Sequence, residues 1–224
     1  MFNNFAIRIA DFENIKSSSK PYSGDEKTGL HSLITKNKNI IDIEIAFASE
    51  EFEEPDYTEF EYDDETGIRP KGKKKRTTPR IDLAAFCRGN DGIELVFFEA
   101  KTFNNPEGKT KGKNLPRVVQ QINQYEKLLK KHQKEIKNSF TLMLDNLVEL
   151  RGKKFFPKEV VDIIENNNEF SVNTTPYLII FGFGKDDKNG EYGKKHLKKL
   201  ENHYKNRFIS KGNPAGIVLS KLRK

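Results

Sequence analysis

Two carboxylates and a lysine interrupt two otherwise apolar segments: Asp82 in PRIDLAAF, and Glu99 with Lys101 in GIELVFFEAKTF. Side chains alternate across a strand, so Glu99 and Lys101 project from one face, and Asp82 on the neighbouring strand can reach the same patch. Asp82, Glu99 and the backbone carbonyl of Ala100 would form an all-oxygen site. Such a site suits Mg²⁺, a hard cation that keeps several of its waters, with Mn²⁺ as a substitute. A bound divalent ion lowers the pKa of its water by several units and neutralises charge developing on an attacked phosphorus. Lys101 would add a compact positive charge beside that water or the scissile phosphate.

The triplet is not specific by itself. An acidic residue two before a lysine occurs five times: Asp25 and Lys27, Glu99 and Lys101, Glu107 and Lys109, Glu135 and Lys137, Asp186 and Lys188. Only the Glu99 copy sits in an apolar strand that follows an Asp-bearing strand at hairpin distance. The plain alternative is an exposed ion pair near a strand end, worth less than about 1 kcal/mol.

A second pattern follows downstream. In QINQY, Gln121 and Tyr125 are four residues apart and share one face of a helix. An Asp, a Glu-x-Lys and a Gln-x-x-x-Tyr in this order resemble the RecB-type branch of the PD-(D/E)xK nucleases. The resemblance covers about residues 26 to 183, with Ile81 in the place where the pattern has proline before the Asp. It implies that Asp82 and Glu99 bind metal, that Lys101 assists the attacking water, and that Gln121 and Tyr125 orient substrate or the metal-site side chains. Without it, Gln121 and Tyr125 are a polar pair at the edge of a packed helix. Members of this family also carry an acid, and often a histidine, on the first helix. Glu26 and His31 are the local candidates, with Glu44 a weaker competitor; Glu26 could equally be a first-turn acid that complements the helix dipole.

These residues need elements to position them. Leu30, Leu33 and Ile34 predict a short helix from Asp25 onward, and NIIDIEIAF alternates Ile41, Ile43 and Ile45 with acids, as a strand with one buried face does. PRIDLAAF and GIELVFFEAKTF are two further strands, joined by Arg88-Gly89-Asn90-Asp91-Gly92, which has the glycine and asparagine that a hairpin turn uses. After Leu115-Pro116, the residues Val118, Val119, Ile122, Tyr125 and Leu129 recur at helical spacing. A helical region over 137 to 166 is interrupted by Gly152 and Pro157. PYLIIFGFG then gives a central buried strand, KKHLKKLENHYKNRF a basic helix, and AGIVLSKL a last strand.

The expected fold is therefore α/β, a mixed central sheet flanked by helices. Its order is αβββαβ with an extra helix and strand, and the family resemblance implies a restriction-endonuclease-like core. Residues 1 to 25 are expected to be an N-terminal appendage. Residues 26 to 224 form a single domain with a charged loop at 50 to 78 and a helical insertion near 137 to 166.

Composition narrows the rest. The 224 residues carry 40 Lys plus Arg against 33 Asp plus Glu, a net charge of +7 that suits a polyanionic partner. Seventeen Phe and seven Tyr suit a compact aromatic core. With Cys87 as the sole cysteine, an intramolecular disulfide and a cysteine zinc site are excluded, and a reducing, cytoplasmic location is expected. No apolar run is long enough for a membrane span. His196 and His203 lack a third ligand, and the glycine that a P-loop needs is replaced by Phe103.

Basic clusters would hold the polyanion: Lys73, Lys74 and Lys75; Lys109, Lys111 and Lys113 with Arg117; and the stretches 127 to 131 and 194 to 199. A solvated surface is the bland alternative for each. The expected activity is Mg²⁺-dependent hydrolysis of DNA phosphodiester bonds, in a setting of repair, restriction or phage defence. Two alternatives stay open: a catalytically inactive nucleic-acid-binding module, and a nuclease directed at RNA. The charged 50 to 78 loop is a further candidate for docking a protein partner or a second copy of the chain.

Overall fold

The structure, a computed structural model, describes residues 25–47, 78–89, 91–109, 116–166, 169–191 and 193–220. The expected appendage and the charged loop, with Lys73, Lys74 and Lys75, lie outside the described residues, as do Lys111 and Lys113.

Helix α1 (Asp25–Lys36) leads into β1 (Ile40–Ala46), β2 (Arg80–Arg88) and β3 (Ile93–Thr102). Then come α2 (Arg117–Lys131), α3 (Gln133–Arg151), α4 (Lys158–Glu165), the two-residue β4 (Ser171–Val172) and β5 (Tyr177–Phe181). The short α5 (Lys185–Asn189), a π turn at Gly193–Leu197 and α6 (Lys198–Tyr204) end in β6 (Phe208–Lys211). The strands make one mixed six-stranded sheet in the order β1-β2-β3-β5-β6, with β4 beside the start of β3. The first three pair antiparallel, while β3, β5 and β6 run parallel. Parallel neighbours need crossovers, and α2 to α4 and α5 to α6 supply them.

Alternation in the central strands feeds cores on both faces of the sheet. From β3, Leu95 and Phe97 point toward Tyr125, Leu129, Ile136, Phe140, Leu144, Val160 and Ile163 of α2, α3 and α4. Val96, Phe98 and Ala100 point the other way, toward Leu33 of α1 and the buried Ile217 and Leu219. β5 does the same, sending Leu178 and Ile180 to α2 and α6 and Ile179 and Phe181 to the α1 side. The helical stretch over 137 to 166 thus begins at Gln133, breaks at Gly152 and resumes after Pro157. Its apolar residues build the larger core.

Two expectations need correction. Among the described residues the last strand is Phe208–Lys211, of which the expected basic helix took in Phe208 and left the rest unassigned, whereas the described part of AGIVLSKL, residues 215 to 220, is not a strand. Its alternation is real, since Ile217 and Leu219 are buried, but its main chain bonds elsewhere. The Asn37 side chain donates to Ile217 O at 2.9 Å and accepts from Leu219 N–H at 2.8 Å, and Ser220 O accepts from Arg88 N–H. β1 also departs from one buried face: Ile43 is 49% exposed while Ile41 and Ile45 pack on the larger core. Two irregularities flank Ile43, a register shift between Ile40 and Asp42 and a positive φ of 51° at Glu44, and each changes side-chain phase. Among the described residues no helix is long and apolar enough to cross a membrane.

Asn37 is 4% exposed and also donates to Leu33 O, so it ties α1 to the C-terminal strap by buried bonds. Asn37→Ala is expected to cost about 1–3 kcal/mol by leaving those partners unsatisfied. Urea denaturation reads the loss, and limited proteolysis should then cut beyond residue 211 before the sheet unfolds.

Candidate active site

The hydrogen-bonded ladder between β2 and β3 runs from Arg88↔Ile93 to Leu83↔Phe98 and stops there. Past that point β2 continues on β1, with Ile81 opposite Ile45, and β3 continues on β5, with Glu99 opposite Leu178 and Lys101 opposite Ile180. The two strands form a fork. Side-chain phase changes at the same place, because Leu83 faces the α1 core whereas Ile81 faces the α2 core. Asp82 lies in the crotch, where its Oδ2 accepts from Ala100 N–H at 2.8 Å.

Glu99 and Lys101 extend the inward row that begins with Leu95 and Phe97, and both are buried. The Lys101 ammonium lies 2.9 Å from Glu99 Oε1 and 3.1 Å from Glu107 Oε2. An exposed surface ion pair is therefore not what the triplet makes: the side chains of Glu99 and Lys101 are 1% and 10% exposed. Burial of so much charge requires close partners.

The helix residues reach the same fork. Gln121 Nε2 donates to the Tyr125 hydroxyl at 2.8 Å, and that hydroxyl donates to the carbonyl oxygen of Arg80, just beyond the end of the β2–β3 ladder. From the far side of the sheet, α1 brings Glu26, whose Oε2 accepts from Asn105 Nδ2 at 2.8 Å and lies 3.5 Å from Thr102 N. Gly29 allows that approach: a Cβ at this position would fall 2.1 Å from the Phe181 ring.

Charge couples these groups. Burial raises the Asp82 carboxyl above its ordinary value, opposed by the Ala100 N–H and Lys101, with Glu26 and Glu44 adding to the rise. Burial, then the Asp82 charge, pushes Glu99 up to about 8 against the pull of Lys101. Burial alone would depress the Lys101 ammonium, but Glu99, Glu107 and Asp82 outweigh it and hold it above the usual lysine value. The Tyr125 phenol is raised by burial and by Glu99, so it remains a neutral donor.

Asp82, Glu99, Lys101, Gln121, Tyr125 and Glu26 are thus gathered at one end of the sheet. His31 is exposed on α1, and Glu44 is exposed and 3.7 Å from Arg80, at the rim. Lys109 is exposed beside the turn Pro106–Gly108, and Arg117 lies 3.5 Å from Glu107. Sequence reading missed Asn105 and Glu107. Glu107 is part of another acid-x-Lys triplet, but its reach back to Lys101 depends on a turn that Asn105 caps, Oδ1 accepting from Glu107 N–H.

The donor set can be tested against a divalent ion. Glu99 Oε2 and Gln121 Oε1 are buried oxygens with no hydrogen-bond partner, and two nearby carboxylates disfavour each other's charge. Hard oxygens in need of positive charge fit a cation such as Mg²⁺. Among the described residues no three His, Cys, Asp or Glu side chains form a metal-holding group. An ion here would therefore rest on Asp82 and Glu99 and retain waters, with Glu26 engaged by Asn105 beside them.

Comparison of the chain with family models, with curated proteins and with solved structures finds no match.

Two outcomes follow from this geometry. Because the folded Glu99 value lies above its ordinary 4.5, its contribution to stability is full below about pH 4.5 and is lost as pH rises through about 8. Melting curves in chelator across that range should show the decline, and Glu99→Gln should flatten it. Tyr125→Phe, which removes the bond to Arg80 O, should destabilise the fold by about 1–2 kcal/mol in urea titration.

Proposed function

We propose that this chain is a divalent-cation-dependent nuclease that hydrolyses DNA phosphodiester bonds. One observation carries the reading: Asp82, Glu99 and Lys101, selected from sequence by type and order, meet at the β2–β3 fork together with Gln121 and Tyr125. Buried side by side, two carboxylates and a lysine cost stability, and such clusters concentrate at functional sites. The order in which these residues occur along the chain resembles the RecB-type PD-(D/E)xK pattern, which supports the same reading.

Asp82 and Glu99 would hold the ion, and the carbonyl of Ala100 is the third candidate ligand. The ion, when bound, would supply an activated water and stabilise charge on the phosphoryl oxygens. The residues do the positioning. Ala100 N–H fixes one Asp82 oxygen and so orients the other. Glu99 holds the Lys101 ammonium at the fork, where it can face an attacking water or a non-bridging phosphate oxygen. Tyr125 locks α2 to β2 through the Arg80 carbonyl and sets the Gln121 amide, whose oxygen is then available to orient a water or a substrate donor. Glu26 anchors the turn after β3 through Asn105. The net charge of +7, together with Lys109 and Arg117 beside the site, favours a polyanionic substrate.

Linear, circular and single-stranded DNA and RNA, incubated with Mg²⁺, Mn²⁺ or chelator, test the reading. DNA cleavage is expected with either metal and none with chelator. Asp82→Ala and Lys101→Ala should each lower the rate by roughly 100-fold or more. Cleavage by both variants at the rate of the unsubstituted protein would remove the fork as the catalytic centre, and cleavage of RNA alone would reassign the substrate.

A further inference from the structure

Glu107 belongs to no part of the chemistry above, yet both of its carboxylate oxygens have cationic partners. Its two oxygens go to cations from different elements: Oε2 lies 3.1 Å from Lys101 Nζ on β3, and Oε1 lies 3.5 Å from Arg117 Nε at the start of α2. A carboxylate bridging an ammonium and a guanidinium is in the position that a phosphodiester's two non-bridging oxygens would take. Glu107 also over-neutralises the site. Lys101 already has Glu99 at 2.9 Å and feels the Asp82 charge, so the Glu107 carboxylate leaves an excess of negative charge where a polyanion must approach. Like charge in that position works against binding.

The Glu107 side chain is held less firmly than Glu99, being 24% exposed against 1%. It sits on the single 3₁₀ turn Pro106–Gly108, whose cap is Asn105. The same Asn105 donates to Glu26 and accepts from Glu107 N–H, so the turn is anchored at its base while the carboxylate reaches over from its edge.

We propose that Lys101 and Arg117 form the subsite for a substrate phosphodiester and that Glu107 occupies it as an internal carboxylate, which the nucleic-acid backbone displaces on binding. The proposal rests on the nuclease reading for its substrate class and adds to it a self-competing residue. Glu107 touches no reacting atom; it sets how strongly the backbone must compete for entry, and so discriminates against weak or isolated anions.

The test uses the full chain and a fluorescein-labelled single-stranded DNA oligonucleotide, with anisotropy measured in chelator so that no cleavage occurs. Glu107→Gln is expected to tighten binding about three- to tenfold. Adding Arg117→Ala to Glu107→Gln should abolish that gain. With Mg²⁺ present, Glu107→Gln should lower KM by a larger factor than it changes kcat, a split that a merely structural glutamate would not produce. Glu107→Ala is measured alongside, with the melting temperature of each variant. Unchanged or weaker binding in both Glu107 variants, whatever their melting temperatures, overturns the proposal. If DNA is cleaved in an Asp82-dependent way while Glu107→Gln binds no tighter, the subsite falls and the nuclease reading stands. If Glu107→Gln binds tighter through Arg117 but nothing is cleaved, the subsite stands and the hydrolase reading falls.

Discussion

The hydrogen bond from Ala100 N–H to Asp82 Oδ2 is the constraint on which the site depends. It sits where β2 and β3 cease to pair, and it replaces a ladder bond with a charged acceptor. If the ladder continued, Asp82 would be one more alternating strand residue and the fork would be closed. Because the strands part, β3 gains β5 as its partner over Phe98 to Thr102, and its inward row can carry Glu99 and Lys101 into a space that α2 roofs. The Tyr125 hydroxyl on the Arg80 carbonyl holds the other tine. Backbone groups freed by the split are thus satisfied by side chains, as buried polar groups require.

Around that fork the electrostatics are a chain of mutual dependence. Glu99 needs Lys101 because both are buried, Lys101 is shared with Glu107, and Glu107 is shared with Arg117. Removing one member leaves another uncompensated, so effects of substitution here will not add. The two orphaned oxygens, on Glu99 and Gln121, are the places where this network asks for positive charge or a donor that the chain does not itself supply.

Much of this was legible in the sequence because it follows local composition and periodicity. Apolar runs of strand length marked β2, β3 and β5, and the period of 3.6 marked α2 residue for residue: Val118, Val119, Ile122, Tyr125 and Leu129 are its buried side chains. Three charges in apolar strands marked the site. What stayed hidden was non-local. Ile217 and Leu219 alternate as strand residues do, but a buried asparagine 180 residues earlier in the chain takes their main-chain bonds. Phe208–Lys211 is only four residues long and follows a helix with a single 3₁₀ turn between them, so no punctuation announced it. Glu107 and Asn105 lay in a loop rich in glycine and lysine, where position is set by caps and not by period.

The division of the sheet at β3 also orders the way the molecule is built. β2 and β3 are joined by a short turn, so their pairing closes a small loop and forms early, whereas Phe98 meets Tyr177 only after the chain has traversed three helices. Closing the longer loop costs more entropy and is slower. A nascent chain therefore brings Asp82, Glu99 and Lys101 together while they are still in water, and their desolvation waits for β5 and α2. The charges are assembled by a short-range contact in the sheet and desolvated by a long-range one. An incompletely folded chain thus carries the residues of the site without its dry, strongly coupled interior.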